Sequence, residues 1–256
     1  YHWQRFDEAR LSALLQTGRL YCSSPKAFND PWDCKPHFNS QVLEDPAENA
    51  RHVAWAVDVC RRKTRMSEED IDRMRNSLGA DRTKAAQLLT EMSEAIGPEI
   101  DRRYRVYCLG PDVGNLLMWS HYAQDHKGIA LEFSVANDVV CGALRCQYLG
   151  AFPLMRVYES SIEGHLQILL AKSSVWFYER EYRLIAQERS AAIEGAATLM
   201  TDDSMLHLPQ GALTAVVAGC QCDFNAVRSV VHRYAPALAV KRAIRIPNQY
   251  AVSIEA

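Results

Sequence analysis

The sequence predicts an α+β fold: a single domain over 1–256 with a mixed, mostly antiparallel split sheet, flanking helices and a helical insertion at about 45–103. Two observations support this fold class. Short apolar segments typical of strands recur near both ends of the chain, with helical patterns between them. Between 45 and 103 the strand-forming residues become rare, and helical patterns follow one another.

The first part of the chain predicts a strand, a helix, a second strand and a loop. Residues 1–6 form an aromatic strand. Asp7 is suited to cap the helix that follows, which ends at Gly18 because glycine readily adopts the left-handed conformation found there. A strand over 20–22 comes next, and the segment 23–33 is dense in Ser, Asn, Asp and Pro, which predicts a loop.

The insertion predicts three helices. The first covers 46–63. The second begins at Ser67, which forms a capping-box pattern with Asp70. The third covers 84–96 and is expected to end before Pro98, because proline disfavours the helix interior. Their charged outer faces indicate solvation, and we expect an insertion or a lid.

The remainder of the chain returns to strand patterns, with two helices among them. The predicted strands are 105–109, 128–134, 143–149, 179–185, 205–208, 213–219 and 239–246, and the predicted helices are 164–172 and 223–234.

Composition narrows the class of protein. The net charge of −2 gives no global basic field for nucleic acid or an anionic membrane. No apolar run approaches a membrane span, and no signal peptide is visible. The eight cysteines are scattered, and Cys220 and Cys222 have only one residue between them, unlike a zinc knuckle. We therefore expect free thiols, a cytoplasmic location, no membrane partner and no structural metal; the start at Tyr1 suggests a missing upstream segment.

A short predicted helix in mid-chain concentrates hydrogen-bonding side chains. Asn115 is suited to cap it, and Trp119 and Tyr122 fall near helical spacing, so Ser120 and His121 cannot both face the core. A hydroxyl, an imidazole and a phenol within so few residues exceed what packing requires. Chemistry and a satisfied structural network remain equal alternatives here.

A second polar group follows near 180. On an extended strand Glu179, Glu181 and Arg183 would project to one face, where the two carboxylates repel and need a cation. Lys172 or Arg183 could supply that cation, and Trp176 would add an apolar wall. The alternative is an exposed ladder of ion pairs that contributes little.

Several further short motifs accompany these two polar groups. The full set is Leu20-Tyr21, Ser24-Pro25, Phe28-Asn29-Asp30-Pro31, Met118-Trp119-Ser120-His121-Tyr122, His126-Lys127-Gly128, Glu132-Phe133, Lys172, Trp176, Tyr178-Glu179, Glu181 and Arg183. Taken together, these motifs resemble a bacterial domain-of-unknown-function family, number 2971. The resemblance extends from the first strand to about residue 219, and it implies a fold and candidate residues but no reaction.

The order of the N-terminal elements is also similar, more loosely, to the opening of ADP-ribosyltransferase domains. That resemblance implies NAD as the substrate, with His2 holding the nicotinamide ribose and Tyr122 or Ser23 stacking on nicotinamide. Glu181 or Glu179 would be the catalytic carboxylate, stabilising the oxocarbenium-like charge that develops as the ribosyl–nicotinamide bond breaks. It further implies a bacterial toxin or phage-defence effector that modifies a protein or nucleic acid.

Two other function classes remain open. A metal-assisted hydrolase or nuclease would use His121 as general base, with Glu181 or Asp30 holding the metal. A non-catalytic module would bind a nucleotide or nucleic acid by stacking on tryptophans. These tryptophans are Trp32, Trp119 and Trp176.

The site is expected where the loop at 29–30, the mid-chain helix and the strand at 179–183 meet, with Asn29, His121 and Glu181 close together. The candidate catalytic residues are Glu181, Glu179 and His121. The candidate substrate-binding residues are His2, Ser23, Asn29, Asp30, Trp119, Ser120, Tyr122, Lys172, Trp176 and Arg183.

Overall fold

The computed structural model describes residues 1–153, 155–159, 162–192 and 199–256, and it has the α+β fold that the sequence predicts. Its internal contacts divide the chain into two compact units. The first unit comprises Tyr1–Asn29, Arg102–Tyr148 and Ser173–Ala256, and the second comprises Asp30–Asp101 and Leu149–Lys172. The segment predicted as an insertion therefore lies in the second unit, except for its last two residues.

The strands are short and are spread over the chain. They are β1 (His2–Gln4), β2 (Arg19–Tyr21), β3 (Tyr104–Leu109), β4 (Ile129–Phe133), β5 (Leu144–Arg145), β6 (Gln147–Leu149), β7 (Ala171–Ser173), β8 (Tyr182–Glu188), β9 (Leu199–Thr201), β10 (Met205–His207), β11 (Leu213–Ala218), β12 (Ala239–Arg245) and β13 (Val252–Glu255).

The α-helices are longest in the second unit. They are α1 (Glu8–Thr17), α2 (Pro46–Lys63), α3 (Glu68–Ala80), α4 (Arg82–Arg103), α5 (Leu116–Tyr122), α6 (Ile162–Leu170) and α7 (Phe224–Tyr234). Short 3₁₀ helices include Pro25–Ala27, Ser40–Glu44, Val140–Gly142, Val157–Glu159, Ser174–Glu179 and Arg189–Ala191.

The first unit contains a five-stranded sheet and a four-stranded sheet, and most of their strand pairs are antiparallel. The larger sheet has the order β1-β4-β11-β12-β13, in which only β11 and β12 run parallel. Helix α7 connects that parallel pair, as a crossover connection requires. The smaller sheet has the order β3-β8-β5, with β9 parallel to β8, and β10 pairs separately with β2.

Successive side chains on the strands of the larger sheet point to opposite faces, and each face borders a separate hydrophobic core. Ile129 and Leu131 of β4 point to the core formed with α1, α7 and the smaller sheet. Ala130, between them, points to the opposite core with Trp3 and Trp119. Helix α5 therefore packs on the face opposite α1 and α7, and its position is fixed by a buried tryptophan.

Several helix boundaries follow from local chemistry as predicted. The Asp7 carboxylate accepts a hydrogen bond from the Arg10 N–H at 3.0 Å, and Gly18 ends α1 at a φ of 63°. Ser67 caps α3 as the capping-box pattern predicts.

Three predictions of local structure were wrong or incomplete. Helix α4 does not end before Pro98 but continues to Arg103, and Ile100 beyond the proline is 1% exposed. The strand predicted over 143–149 is the two short strands β5 and β6, separated at the buried Cys146. The last strand, β13, was not predicted, although its four residues alternate between apolar and polar side chains as a half-buried strand does.

The second unit is built on α2, α3, α4 and α6. Its buried side chains include Ile71, Leu89 and Ile168. Lys172 lies 3.8 Å from the Asp33 carboxylate, and both side chains are buried, so a buried ion pair belongs to this unit. Within the described residues no helix is both long enough and apolar enough to cross a membrane.

Candidate functional site

Helix α5 carries the mid-chain motif, and its cap joins it to the 3₁₀ helix Ser174–Glu179. The Asn115 carboxamide oxygen accepts from the Leu117 N–H at 3.1 Å, as the cap prediction requires. Its Nδ2 donates to the Tyr178 carbonyl at 2.7 Å. One side chain therefore begins the helix and also fixes the segment that ends in Glu179.

Trp119 is part of the core rather than a surface for stacking. Its side chain is 0% exposed, and its Nε1 donates to the Val113 carbonyl at 2.6 Å. It also packs edge-on against Trp3, with ring centroids 6.5 Å apart. The predicted ligand-stacking role of Trp119 does not fit a side chain without an exposed face.

Glu179 is hydrogen-bonded to Tyr122, the last residue of α5. The Tyr122 hydroxyl donates to Glu179 Oε1 at 2.6 Å, and Glu179 is 3% exposed. Glu179 is the last residue of its 3₁₀ helix, Arg180 follows at a φ of 49°, and β8 begins only at Tyr182. The prediction that Glu179 lies on the strand with Glu181 and Arg183 was therefore wrong, because the left-handed residue turns the chain between them.

Glu181 and Arg183 form a buried pair. Arg183 donates through Nε to Glu181 Oε1 at 2.9 Å and through a terminal nitrogen to Oε2 at 3.1 Å. The side chains are 4% and 0% exposed, and the guanidinium lies 5.2 Å from the Phe28 ring centroid. The alternative of an exposed ion-pair ladder was therefore wrong: the two-pronged pairing holds the beginning of β8 in the core.

An aromatic cluster surrounds the exposed His121. Its Nδ1 lies 2.8 Å from the Tyr178 hydroxyl, and its ring centroid lies 6.4 Å from that of Trp176. Trp176 and Tyr178 are half-buried, with centroids 6.1 Å apart. We call Tyr122, Glu179 and these three rings the Glu179 site.

Ser120 faces a different partner. Its hydroxyl donates to the Leu116 carbonyl at 3.0 Å, so it can only accept from His126 Nε2, which lies 3.1 Å away. This assignment leaves His126 Nδ1 unprotonated, and within the described residues that buried atom has no partner. Desolvation lowers the pKa of His126, which agrees with a neutral ring. Ser120 is thus a hydrogen-bonded helix residue and not an activated nucleophile.

The turn after α5 is backbone-strained. Gln124, Asp125 and His126 have φ values of 50°, 54° and 66°, three successive non-glycine residues in the left-handed region. The His126 N–H donates to the Trp119 carbonyl at 3.1 Å, and the His126 carbonyl accepts from the Gln221 N–H at 3.0 Å. Strain of this kind persists only where surrounding structure enforces it, and it is common beside functional sites.

His2 lies on β1 of the larger sheet, but its side chain contacts β3 of the smaller sheet, and Ser23 also bonds to β3. His2 Nδ1 donates to the Cys108 carbonyl at 2.8 Å, and its ring stacks on Tyr107 with centroids 4.1 Å apart. Desolvation lowers the pKa of His2 to about 4, so the ring is neutral near pH 7. Ser23 makes a backbone bridge to Val106.

Of the remaining predicted residues, Asp30 and Lys172 belong to the second unit, and Asn29 belongs to the first. Asn29 is exposed and ends the first segment of the first unit. The Asp30 carboxylate accepts from the Trp32 N–H at 2.9 Å, which is a local turn, and the Trp32 side chain is 66% exposed. Lys172 also belongs to the second unit, where it pairs with Asp33.

The structure brings part of the predicted set together. His121, Tyr122, Trp176 and Glu179 lie in one site, whereas Glu181 and Arg183 pair with each other beside Phe28. Tyr178 is part of the motif resemblance together with Glu179, but it was not named as a candidate site residue. Its position next to Glu179 was the available signal.

The described residues contain no group of three or more His, Cys, Asp or Glu side chains that could hold a metal ion. The eight cysteines all lie in described segments, and none of them forms a disulfide bond. Comparisons of this chain with protein-family models, curated proteins and solved structures returned no match. The motif resemblance to a known family therefore stays a prediction.

Proposed function

We propose that this chain is an ADP-ribosyltransferase-like enzyme that uses NAD, with Glu179 as its catalytic carboxylate. The observation that carries the proposal is the hydrogen bond from the Tyr122 hydroxyl to the buried Glu179, at the edge of the aromatic cluster. A carboxylate held in one orientation in a region of low water content is suited to stabilise positive charge that develops nearby. NAD would supply that charge when its ribosyl–nicotinamide bond breaks.

The chemistry of the surrounding side chains fits such a substrate. Trp176, Tyr178 and His121 keep some surface exposed and can contact a flat heterocyclic ring. Tyr178 also has a hydroxyl next to His121, which supplies a hydrogen-bonding edge beside these rings.

The geometry changes which glutamate we assign to catalysis. Glu181 has both carboxylate oxygens engaged by Arg183, so its negative charge is largely neutralised within the fold. Glu179 accepts from the Tyr122 phenol and lies beside the aromatic cluster, so its position next to these rings favours it. We therefore assign Glu179 to the reaction, Tyr122 to its positioning, and Glu181 with Arg183 to the support of β8.

The proposal extends to a biological role by resemblance alone. An enzyme that consumes NAD or modifies a protein or nucleic acid suits a bacterial toxin or phage-defence effector. The acceptor of the ADP-ribosyl group is not specified by any of these residues, and water would suffice for a first assay.

Nicotinamide release from NAD tests the proposal. The wild-type chain should release nicotinamide, and NAD should raise its melting temperature, since a ligand of the native state stabilises it. Glu179→Gln keeps the size of the side chain but deletes its charge, and we expect turnover to fall about 100-fold. Tyr122→Phe removes one hydrogen bond to a charged group and should lower turnover roughly tenfold.

Glu132→Gln is the matched control, because Glu132 also belongs to the first unit but pairs with Lys241 at 2.8 Å. That variant should keep its turnover. NAD-dependent stabilisation without nicotinamide release would indicate a binding module. No stabilisation and no release by the wild-type chain would contradict the proposed function altogether.

A further inference from the structure

The second unit contains a groove that the proposed reaction does not use. It lies between α2 and α3 and extends to the start of α4, with a volume of about 710 Å³. This volume falls within the range of small-molecule sites, roughly 300–1,000 Å³. The groove is lined by Pro46, Asn49, Ala50, Val53, Ala54, Arg75, Asn76, Gly79, Ala80 and Arg82.

The wall of the groove is flat because its side chains are small. Ala50 and Ala54 lie four residues apart on one face of α2, and Gly79 and Ala80 face them from the last turn of α3. A Cβ added at Gly79 would meet no atom within 4 Å, so space is open above this glycine. Glycine within a helix is less favourable than alanine, and here it leaves room in the groove.

A polar group without a partner lies in this wall. Asn49 is 9% exposed, and its Oδ1 is buried with no hydrogen-bond partner among the described residues. Buried amide oxygens are nearly always hydrogen-bonded, so an exception needs an explanation. Because Oδ1 has almost no accessible surface, a ligand in the groove can satisfy it only after the Asn49 carboxamide turns toward the groove. The Asn76 carboxamide lines the same groove and can add a second such contact.

Positive charge lies on the other side of the groove. Arg82 has no ion-pair partner within the described residues, and Arg75 pairs with Asp72 at 2.6 Å, with both side chains exposed. An exposed ion pair is weak, so Arg75 can exchange its partner for a stronger one. Two guanidinium groups are suited to bind a phosphate through paired hydrogen bonds.

We propose that this groove binds a nucleoside monophosphate or the equivalent part of a larger nucleotide. The planar base would lie on the small residues of α2 and α3, with its edge toward the carboxamides of Asn49 and Asn76. Asparagine carboxamides pair well with the adjacent donor and acceptor of adenine. The phosphate would bind to Arg75 and Arg82. This site is independent of the proposed reaction, because all of its residues belong to the second unit.

Titration of the full chain with AMP by calorimetry tests the inference, with inorganic phosphate and ribose 5-phosphate as probes that lack the base. We expect saturable binding of AMP and much weaker binding of both base-free probes. Gly79→Leu fills the groove and should lower AMP affinity by about tenfold or more. Gly97→Leu is the matched control, since Gly97 also lies within a helix with no atom within 4 Å of an added Cβ.

Three results would overturn the inference. AMP could fail to bind, both leucine variants could lose affinity equally, or inorganic phosphate could bind as tightly as AMP. Gly79→Ala, which should strengthen the helix while it narrows the groove, serves if the leucine variant does not fold. Glu179→Gln separates the two sites: loss of AMP binding in that variant alone would assign the ligand to the Glu179 site and end this proposal, whereas unchanged AMP binding there supports it whatever NAD turnover shows.

Discussion

Two glutamates only two residues apart have different environments. Glu179 accepts from the Tyr122 phenol beside an aromatic cluster, whereas Glu181 is held by two hydrogen bonds from Arg183. The difference arises at Arg180, whose left-handed backbone separates the end of a 3₁₀ helix from the beginning of a strand. At the residue scale, Glu179 therefore lies beside the half-buried rings of Trp176 and Tyr178, whereas Glu181 is paired with Arg183 at the beginning of β8.

Glu181→Gln should destabilise the fold. The change removes the negative charge that accepts two hydrogen bonds from the fully buried Arg183, and breaking a buried pair costs about 3–5 kcal/mol. Urea denaturation followed by circular dichroism would measure the loss. Arg189→Gln is the control: Arg189 pairs with Asp202 at 2.6 Å, but both side chains are more than half exposed, so the midpoint should hardly change. Equal midpoints for wild type and Glu181→Gln would show that the buried pair contributes nothing.

At the element scale, α5 and the turn that follows it depend on two close backbone approaches. A Cβ on Gly128 would overlap the carbonyl oxygen of Gln4 and approach that of Ala123 to 2.8 Å. A Cβ on Gly219 would overlap the carbonyl of His126, the last of three left-handed residues. Both glycines are therefore needed to close the strained turn against the sheet.

Gly128→Ala should destabilise the chain by roughly 1–3 kcal/mol or more, because backbone atoms of β1 and α5 cannot move apart cheaply. Gly142→Ala, at a site with no atom within 4 Å of an added Cβ, should have little effect. Thermal unfolding of the two variants would provide the comparison. An equally small effect in both would mean that the turn relaxes easily, and the argument for enforced strain would fail.

Local chemistry determined what the sequence could reveal about the elements. Asp7, Ser67 and Asn115 begin helices through side chains that bond to the N–H groups just beyond them, and such signals are readable within four residues. The continuation of α4 past Pro98 was not readable, because it is accompanied by burial of Ile100 in the tertiary structure. Glu179 was misplaced for a similar reason: periodicity does not reveal the left-handed turn after it.

At the scale of the whole molecule, sheet order depends on pairings across most of the chain. The N-terminal strand β1 pairs with β4, which pairs with β11 near residue 216, and the unpredicted β13 completes the sheet. The fold class was confirmed because composition and periodicity report it, whereas strand order depends on contacts that no local pattern encodes. The Glu179 site also depends on long-range contacts, since the fold brings together Tyr122 and Glu179, which are far apart in the sequence.

The free energy of unfolding of the whole chain should depend on pH through His2. Desolvation lowers its pKa from 6.5 to about 4 in the folded state. In the unfolded chain, His2 therefore binds a proton as the pH falls below 6.5. In the folded chain, it binds one only as the pH approaches about 4. The stabilising contribution is complete above pH 6.5 and is lost as the pH falls toward 4. His126, whose pKa is also lowered by desolvation, acts in the same direction.

Between pH 7.5 and 5 the loss attributable to His2 should reach up to about 2 kcal/mol. Urea denaturation at intervals across this range would measure the slope, and His2→Gln should reduce it. The variant also loses the hydrogen bond between the imidazole and the Cys108 carbonyl, so its stability at pH 7.5 should be lower than that of the wild type. The pH dependence of stability thus reports the titration of His2, and the difference in stability at pH 7.5 reports its hydrogen bond. A variant with the full wild-type slope would assign the pH dependence to other groups, and the first-strand histidine would then have only its packing and hydrogen-bonding role.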